Sequence, residues 1–242
     1  MKRIIIAGLF VFLLVLLVTF PARVAYNWFV PAEVRLSGIS GSIWQGAATE
    51  GIAGGAYIRD LQWRFRPGAL FRGQLAFAAS GSPGSGTMEA DVAIGLGGAL
   101  LISNLRGNMP LDVVHQAFQR SGIRGDVILQ FETLSIMNGL PVAADGSVTV
   151  ADFFAPALSA ERVGDFRADF QTTTNGISGV VQDVSGVLDV EGTIELTADR
   201  NYVFIGQVAP TAETPPSITN QLRFLGSPDE RGQRPFRFEG QL

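Results

Sequence analysis

The sequence predicts a mainly β protein: an N-terminal transmembrane helix, then a large, twisted antiparallel β-sheet domain, open to half-rolling, with two short helices. Three observations carry this. Residues Ile4 to Phe20 form 17 consecutive uncharged positions after Lys2 and Arg3. Segment after segment beyond residue 31 alternates apolar and polar side chains with period two. Between those segments sit turn formers, such as Ser80–Gly86, Asn138–Pro141, Ala144–Gly146 and Thr173–Gly176.

The N-terminal run reads as a membrane insertion signal, longer than the core of a usual signal peptide and at the short limit for a spanning helix. Cleavage requires small residues at alternate positions. A cut after Ala22 would put Phe20 three residues before the scissile bond, and a cut after Ala25 would put Arg23 there. The run is therefore read as a retained single span. Ile4, Phe12, Leu16 and Phe20 form its apolar body, and Tyr26 and Trp28 are its interfacial rings. Lys2 and Arg3 place the N-terminus in the cytoplasm by the positive-inside bias. The expected division is thus 1–30 for stub, span and interfacial segment, and 31–242 for a domain facing the periplasm from the inner membrane of a Gram-negative cell.

The strands follow from the alternation. Leu61, Trp63 and Phe65 interleave with Asp60, Gln62, Arg64 and Arg66, and the whole stretch Ile58–Arg72 reads as one amphipathic strand. Phe166, Ala168 and Phe170 interleave with Arg167, Asp169 and Gln171. Leu188, Val190, Ile194 and Leu196 do so with Asp189, Glu191, Glu195 and Thr197. About a dozen short strands with one apolar face result. Two segments break the rhythm. Pro110–Gly122 and Pro215–Gly226 each open on proline, space apolar residues at helical intervals and close on glycine, so each is expected to form a short helix against the sheet.

Composition narrows the function. Only Lys2 is lysine and the other 17 basic residues are arginine; beyond Arg3, 16 basic face 22 acidic residues, a balance that disfavours nucleic acid. The chain has no cysteine, which removes disulfides, thiolate metal sites and cysteine nucleophiles. His115, the single histidine, lies three residues after Asp112 with no nucleophile motif beside it, and reads as a surface residue. Gly95–Gly98 and Gly38–Gly41 lack the helix and the Gly-Lys-Ser/Thr sequence of a phosphate loop, and read as bulges or tight turns. No metal-ligand spacing is present. No enzyme, cofactor or metal is expected.

Two glycine-punctuated motifs remain. In the first, Gly38, Gly41 and Gly46 bracket Trp44 just after the apolar run, as expected where strands turn sharply and one ring fills the adjoining apolar face. In the second, Gly226, Pro228, Asp229 and Gly232 form a turn before a final strand that carries Phe238 and is expected to zip the fold shut.

With the N-terminal run and Phe20–Phe29, these motifs make the chain resemble the type II secretion system protein N family. The resemblance covers both ends and the overall layout, whereas residues 90–205 are placed by strand pattern alone. It implies an accessory inner-membrane component of the machinery exporting folded proteins across the outer membrane, partnered by other secretion components. The alternating strands and the anchor are also similar to those of AsmA-like periplasmic proteins, which implies lipid as the alternative partner.

Overall fold

The computed structural model describes residues 2–29, 35–53, 56–95, 98–114, 121–197 and 199–241. Helix α1 spans Lys2–Val18 and α2 spans Ala22–Phe29. Fourteen strands follow among the described residues: β1 (Arg35–Ser37), β2 (Ser40–Gly41), β3 (Gln45–Ala53), β4 (Ala56–Phe65), β5 (Leu75–Pro83), β6 (Thr87–Ile94), β7 (Leu100–Pro110), β8 (Arg124–Met137), β9 (Leu140–Phe154), β10 (Gly164–Thr173), β11 (Gly176–Gly186), β12 (Leu188–Thr197), β13 (Asn201–Pro210) and β14 (Arg234–Gln241). Helix α3 (Leu111–Val114) precedes β8, and α4 (Pro216–Leu222) precedes β14.

All strands join one antiparallel sheet in which each strand from β3 to β13 pairs with its sequence neighbours; β1 and β2 both pair with β3. Short turns dictate much of this meander, because connections of two or three residues, such as 84–86, 138–139 and 174–175, leave the chain no room to reach any strand but the adjacent one.

The register shows why the alternation is so regular. One transverse row runs Leu105, Phe131, Gly146, Phe170, Gly179, Ile194, Phe204, Phe238 from β7 to β14. Large and small residues alternate at its centre: a Cβ on Gly146 would lie 2.7 Å from the Phe131 ring, and one on Gly179 would lie 2.7 Å from the Phe170 ring. The rings of Phe131 and Phe170 thereby stack at 6.1 Å across the glycine strand.

One end of this apolar face is covered by α4. Ile218 and Leu222 pack with Val163, Leu188 and Val208, and Phe153, Phe166 and Phe236 surround them. The loop after β9 is fastened from outside by Arg162, which pairs with Asp152 at 3.1 Å and with Asp165 at 2.5 Å. Arg162, the Asp152 N–H and the Ser185 hydroxyl together hold the Asp165 carboxyl at a pKa of about 2.

Two expectations are corrected by the structure, and two others meet a helix that is shorter than expected or described only in part. Among the described residues, no helix is long and apolar enough to cross a membrane. The helix stops at Val18 because Pro21 pushes its predecessor out of helical geometry, and the chain turns at Thr19 instead of running on through Phe20. The strand expected over Ile58–Arg72 ends at Phe65, where Pro67 starts a 3-10 turn over Pro67–Arg72. The helix expected from Pro110 is described only over Leu111–Val114; residues 115–120, with His115 and Phe118, lie outside the described residues. Finally, β14 does not close the sheet: it pairs with β13 and forms an open edge.

Candidate functional site

The first motif builds the corner where the helices meet the sheet. Gly38 (φ 65°) interrupts the edge between β1 and β2, and a Cβ there would meet the Thr49 hydroxyl. Gly41 (φ 84°) lies against the Gln45 carbonyl, where a side chain would sit 2.5 Å from oxygen. At Gly46 the missing side chain makes room for the Trp63 ring, which a Cβ would approach to 2.4 Å. The ring in that gap is therefore Trp63, which the alternation marked only as one apolar position of β4.

Trp44 has a different task. Its ring packs 4.8 Å from Phe65, and its indole N–H donates to the Leu17 carbonyl at 2.8 Å. That carbonyl is among the last four of α1, which have no partner within the helix. The Ile43 N–H donates to the Phe20 carbonyl at 3.0 Å, and Pro21 forms an isolated bridge with Ser42. Helix α2 then lies along the β1–β2 edge. Ala22 and Tyr26 pack with Ile39, Ala48, Leu36, Leu61 and Trp63. The Arg23 Nε donates to the Ile39 carbonyl at 2.6 Å, and the Leu36 N–H donates to the Tyr26 hydroxyl at 3.1 Å. Side chains of α2 thus satisfy backbone groups along this edge. Spacing of Arg23 and Tyr26 by three on a short helix was the available signal for this.

Of the anchor residues, Phe12 and Leu16 stand exposed on α1, while Tyr26 is half-buried against the sheet. Ile4 and Trp28 belong to α1 and α2. We expect Trp44→Ala to cost about 2 kcal/mol, since a half-buried ring forfeits only part of the 3–5 kcal/mol of a fully buried one. Urea unfolding checks this, and a loss under 0.5 kcal/mol would show that the corner does not depend on the ring.

The second motif lies at the opposite edge, so the structure does not bring the two together. Asp229 organises its turn: its carboxylate accepts from the Arg231 and Gln233 N–H groups at 2.9 and 2.8 Å, and its own N–H donates to the Gln233 carbonyl. Gly232 (φ 84°) donates to the Asp229 carbonyl, and the Gly226 carbonyl accepts from Arg234. Pro228 is exposed within this turn, and Phe238 stands on β14 with its ring 5.7 Å from Phe236.

Between the edges, the polar face forms a trough. Gln62, Arg64, Arg66 and Asp91 line about 820 Å³ of it, and Gln130, Asp145, Arg167 and Asp169 line a further 780 Å³, the two sharing Asn104 and Arg106. Charges there are partly neutralised in place, with Arg66 on Asp91 at 2.7 Å and Arg167 on Asp169 at 2.6 Å. The Arg167 guanidinium holds the Asp169 carboxyl below its usual pKa. The other face has an apolar groove of about 480 Å³ lined by residues including Phe131, Leu134, Phe170 and Ile194. Among the described residues no cluster of His, Cys, Asp or Glu could hold a metal ion. The trough offers hydrogen bonds and alternating charge, which suits docking of a polar surface.

A family profile described as "Type II secretion system (T2SS), protein N" matches residues 32–237. The chain belongs to the type II secretion system protein N family. Two relatives bearing that name match along the whole length, and a third matches a short stretch. The protein of Vibrio cholerae serotype O1 is 27% identical over 259 aligned residues, covering 100% of both chains. That of Aeromonas hydrophila is 25% identical over 252, covering 100% of this chain and 99% of the relative. A sequence of Aeromonas salmonicida is 40% identical over 47 residues, 19% of this chain. No solved structure matches the chain. As a family member, the chain is a secretion-system protein whose fold is mainly an antiparallel sheet.

Proposed function

We propose that this T2SS protein N family member is an accessory inner-membrane component that supports export of folded proteins from the periplasm across the outer membrane through protein contacts. In this reading α1 is the tether and residues 31–242 face the periplasm. The observation that carries it is the fastening of α1 to the sheet through Trp44 and Leu17, joined at 2.8 Å. Seventeen residues at a rise of about 1.5 Å extend about 25 Å, somewhat less than the roughly 30 Å hydrocarbon core. The amphipathic α2 lies on the sheet at the level where the interface would begin. The polar trough is the proposed contact surface for other secretion components, and no step of chemistry is assigned to it. The relatives, all bearing the secretion name, do not favour the lipid reading.

A tether acts by raising local concentration at the membrane. A deletion strain complemented with a form lacking residues 1–20, exported by a cleavable signal, should therefore secrete a reporter enzyme poorly at normal protein level. His115→Ala should secrete it normally. Full rescue by the untethered form would overturn the tether, and collapse with His115→Ala would overturn the non-enzymatic reading.

A further inference from the structure

The two edges of the sheet are finished differently. At the β1–β2 edge, α2 supplies Tyr26 and Arg23 to backbone groups, and the paired segments there are only three and two residues long, broken at Gly38. At the other edge β14 offers eight residues, and among the described residues nothing pairs beyond it. From Phe236 to Gln241 this edge carries no further proline, and an edge of this length is a template for a further strand.

The sequence of β14 is complementary to itself. Antiparallel pairing of two copies about Phe238 sets Phe238 opposite Phe238, Arg237 opposite Glu239, Glu239 opposite Arg237, and Phe236 opposite Gly240. Directly opposed residues share a face, so both phenylalanines extend the apolar row and all four charges lie together on the polar side. Within one copy Arg237 and Glu239 already pair at 2.9 Å, which holds them on that side. The apolar row from Leu105 to Phe204 currently ends on Phe238, which is 58% exposed. Pro235 fixes the phase: a proline in an edge strand belongs where its missing N–H faces away from the sheet. Arg237 and Glu239, two and four residues on, then also point their backbone groups outward, and each cross-copy pair exchanges both hydrogen bonds.

We infer that β14 is a homodimerisation edge, pairing with β14 of a second copy across a two-fold axis at Phe238. The two fourteen-stranded sheets then become one continuous sheet, closed by symmetry and protected from further growth by α2 at both outer ends. This goes beyond the tethering reading and does not depend on it.

The chain has no cysteine, so a single introduced one reports without background. In the full-length protein purified in detergent, Phe238→Cys should form a disulfide-linked dimer under mild oxidation, because opposed residues of a non-hydrogen-bonded pair lie about 4.5 Å apart at Cα, within disulfide range. Glu239→Cys should link poorly to itself but well to a copy carrying Arg237→Cys. Charge reversal supplies an independent arm. Arg237→Glu alone and Glu239→Arg alone should each weaken the dimer about tenfold by juxtaposing like charges, and mixing the two should restore it as a heterodimer. Light scattering showing a folded monomer, a cross-link from Phe238→Cys only to a different protein, or charge reversals without effect would overturn the inference.

Discussion

Ile218→Ala is expected to destabilise the domain by about 2–5 kcal/mol, a large part of the 5–15 kcal/mol that holds a typical domain together. Ile218 is 2% exposed and is the knob by which α4 covers the apolar face, touching side chains from the β9–β10 loop, β12 and β13. Truncation leaves a cavity that these neighbours cannot fill, since the sheet backbone fixes most of them. Phe224 provides the control. It is a larger apolar residue only six positions on, yet it is 91% exposed, so Phe224→Ala should shift stability by less than about 0.5 kcal/mol. Urea titration of both variants distinguishes burial from hydrophobicity. Equal midpoints for Ile218→Ala and the wild type would remove α4 from the core.

The second large effect concerns α1. Replacing Leu9, Leu13 and Leu16 together by arginine should abolish membrane retention, because each arginine near the centre of a span costs about 2.5–3.5 kcal/mol on insertion scales. All three leucines are exposed on the helix, so the triple change should disturb no packing of the sheet. Carbonate-washed membrane fractions supply the readout, with the circular dichroism of the sheet as the internal check. Wild-type retention of the triple variant would mean that α1 is not what holds the protein at the membrane.

Much of this architecture was legible because period-two alternation reports directly on a two-faced sheet. Leu188–Leu196 and Phe166–Phe170 stand on the apolar row or beside it as the alternation required, and the hairpin turns fell where glycine, asparagine and proline cluster. What alternation cannot encode is which edge stays open, since β14 reads the same whether a neighbour lies beyond it or not. The expectation of a closing strand failed for that reason. The role of Trp44 was hidden similarly. Its indole N–H serves a carbonyl 27 residues away on α1, and no local pattern signals a bond of that separation. Gly46 marked a close approach, but the approaching ring came from β4, a neighbour set by register.

The neighbour-to-neighbour order of the strands also has a consequence for how the chain assembles. Apart from the short start around β1 and β2, each strand from β4 to β14 can dock on the strand made just before it, so the loop to be closed is short at most steps, the longest being residues 211–233 before β14. A chain that emerges N-terminus first can add strands in the order of synthesis, without waiting for distant sequence. The exposed growing margin moves along with it and comes to rest at β14. Pulled from the N-terminus, the same arrangement yields one strand at a time, beginning where α2 and Trp44 fasten the corner.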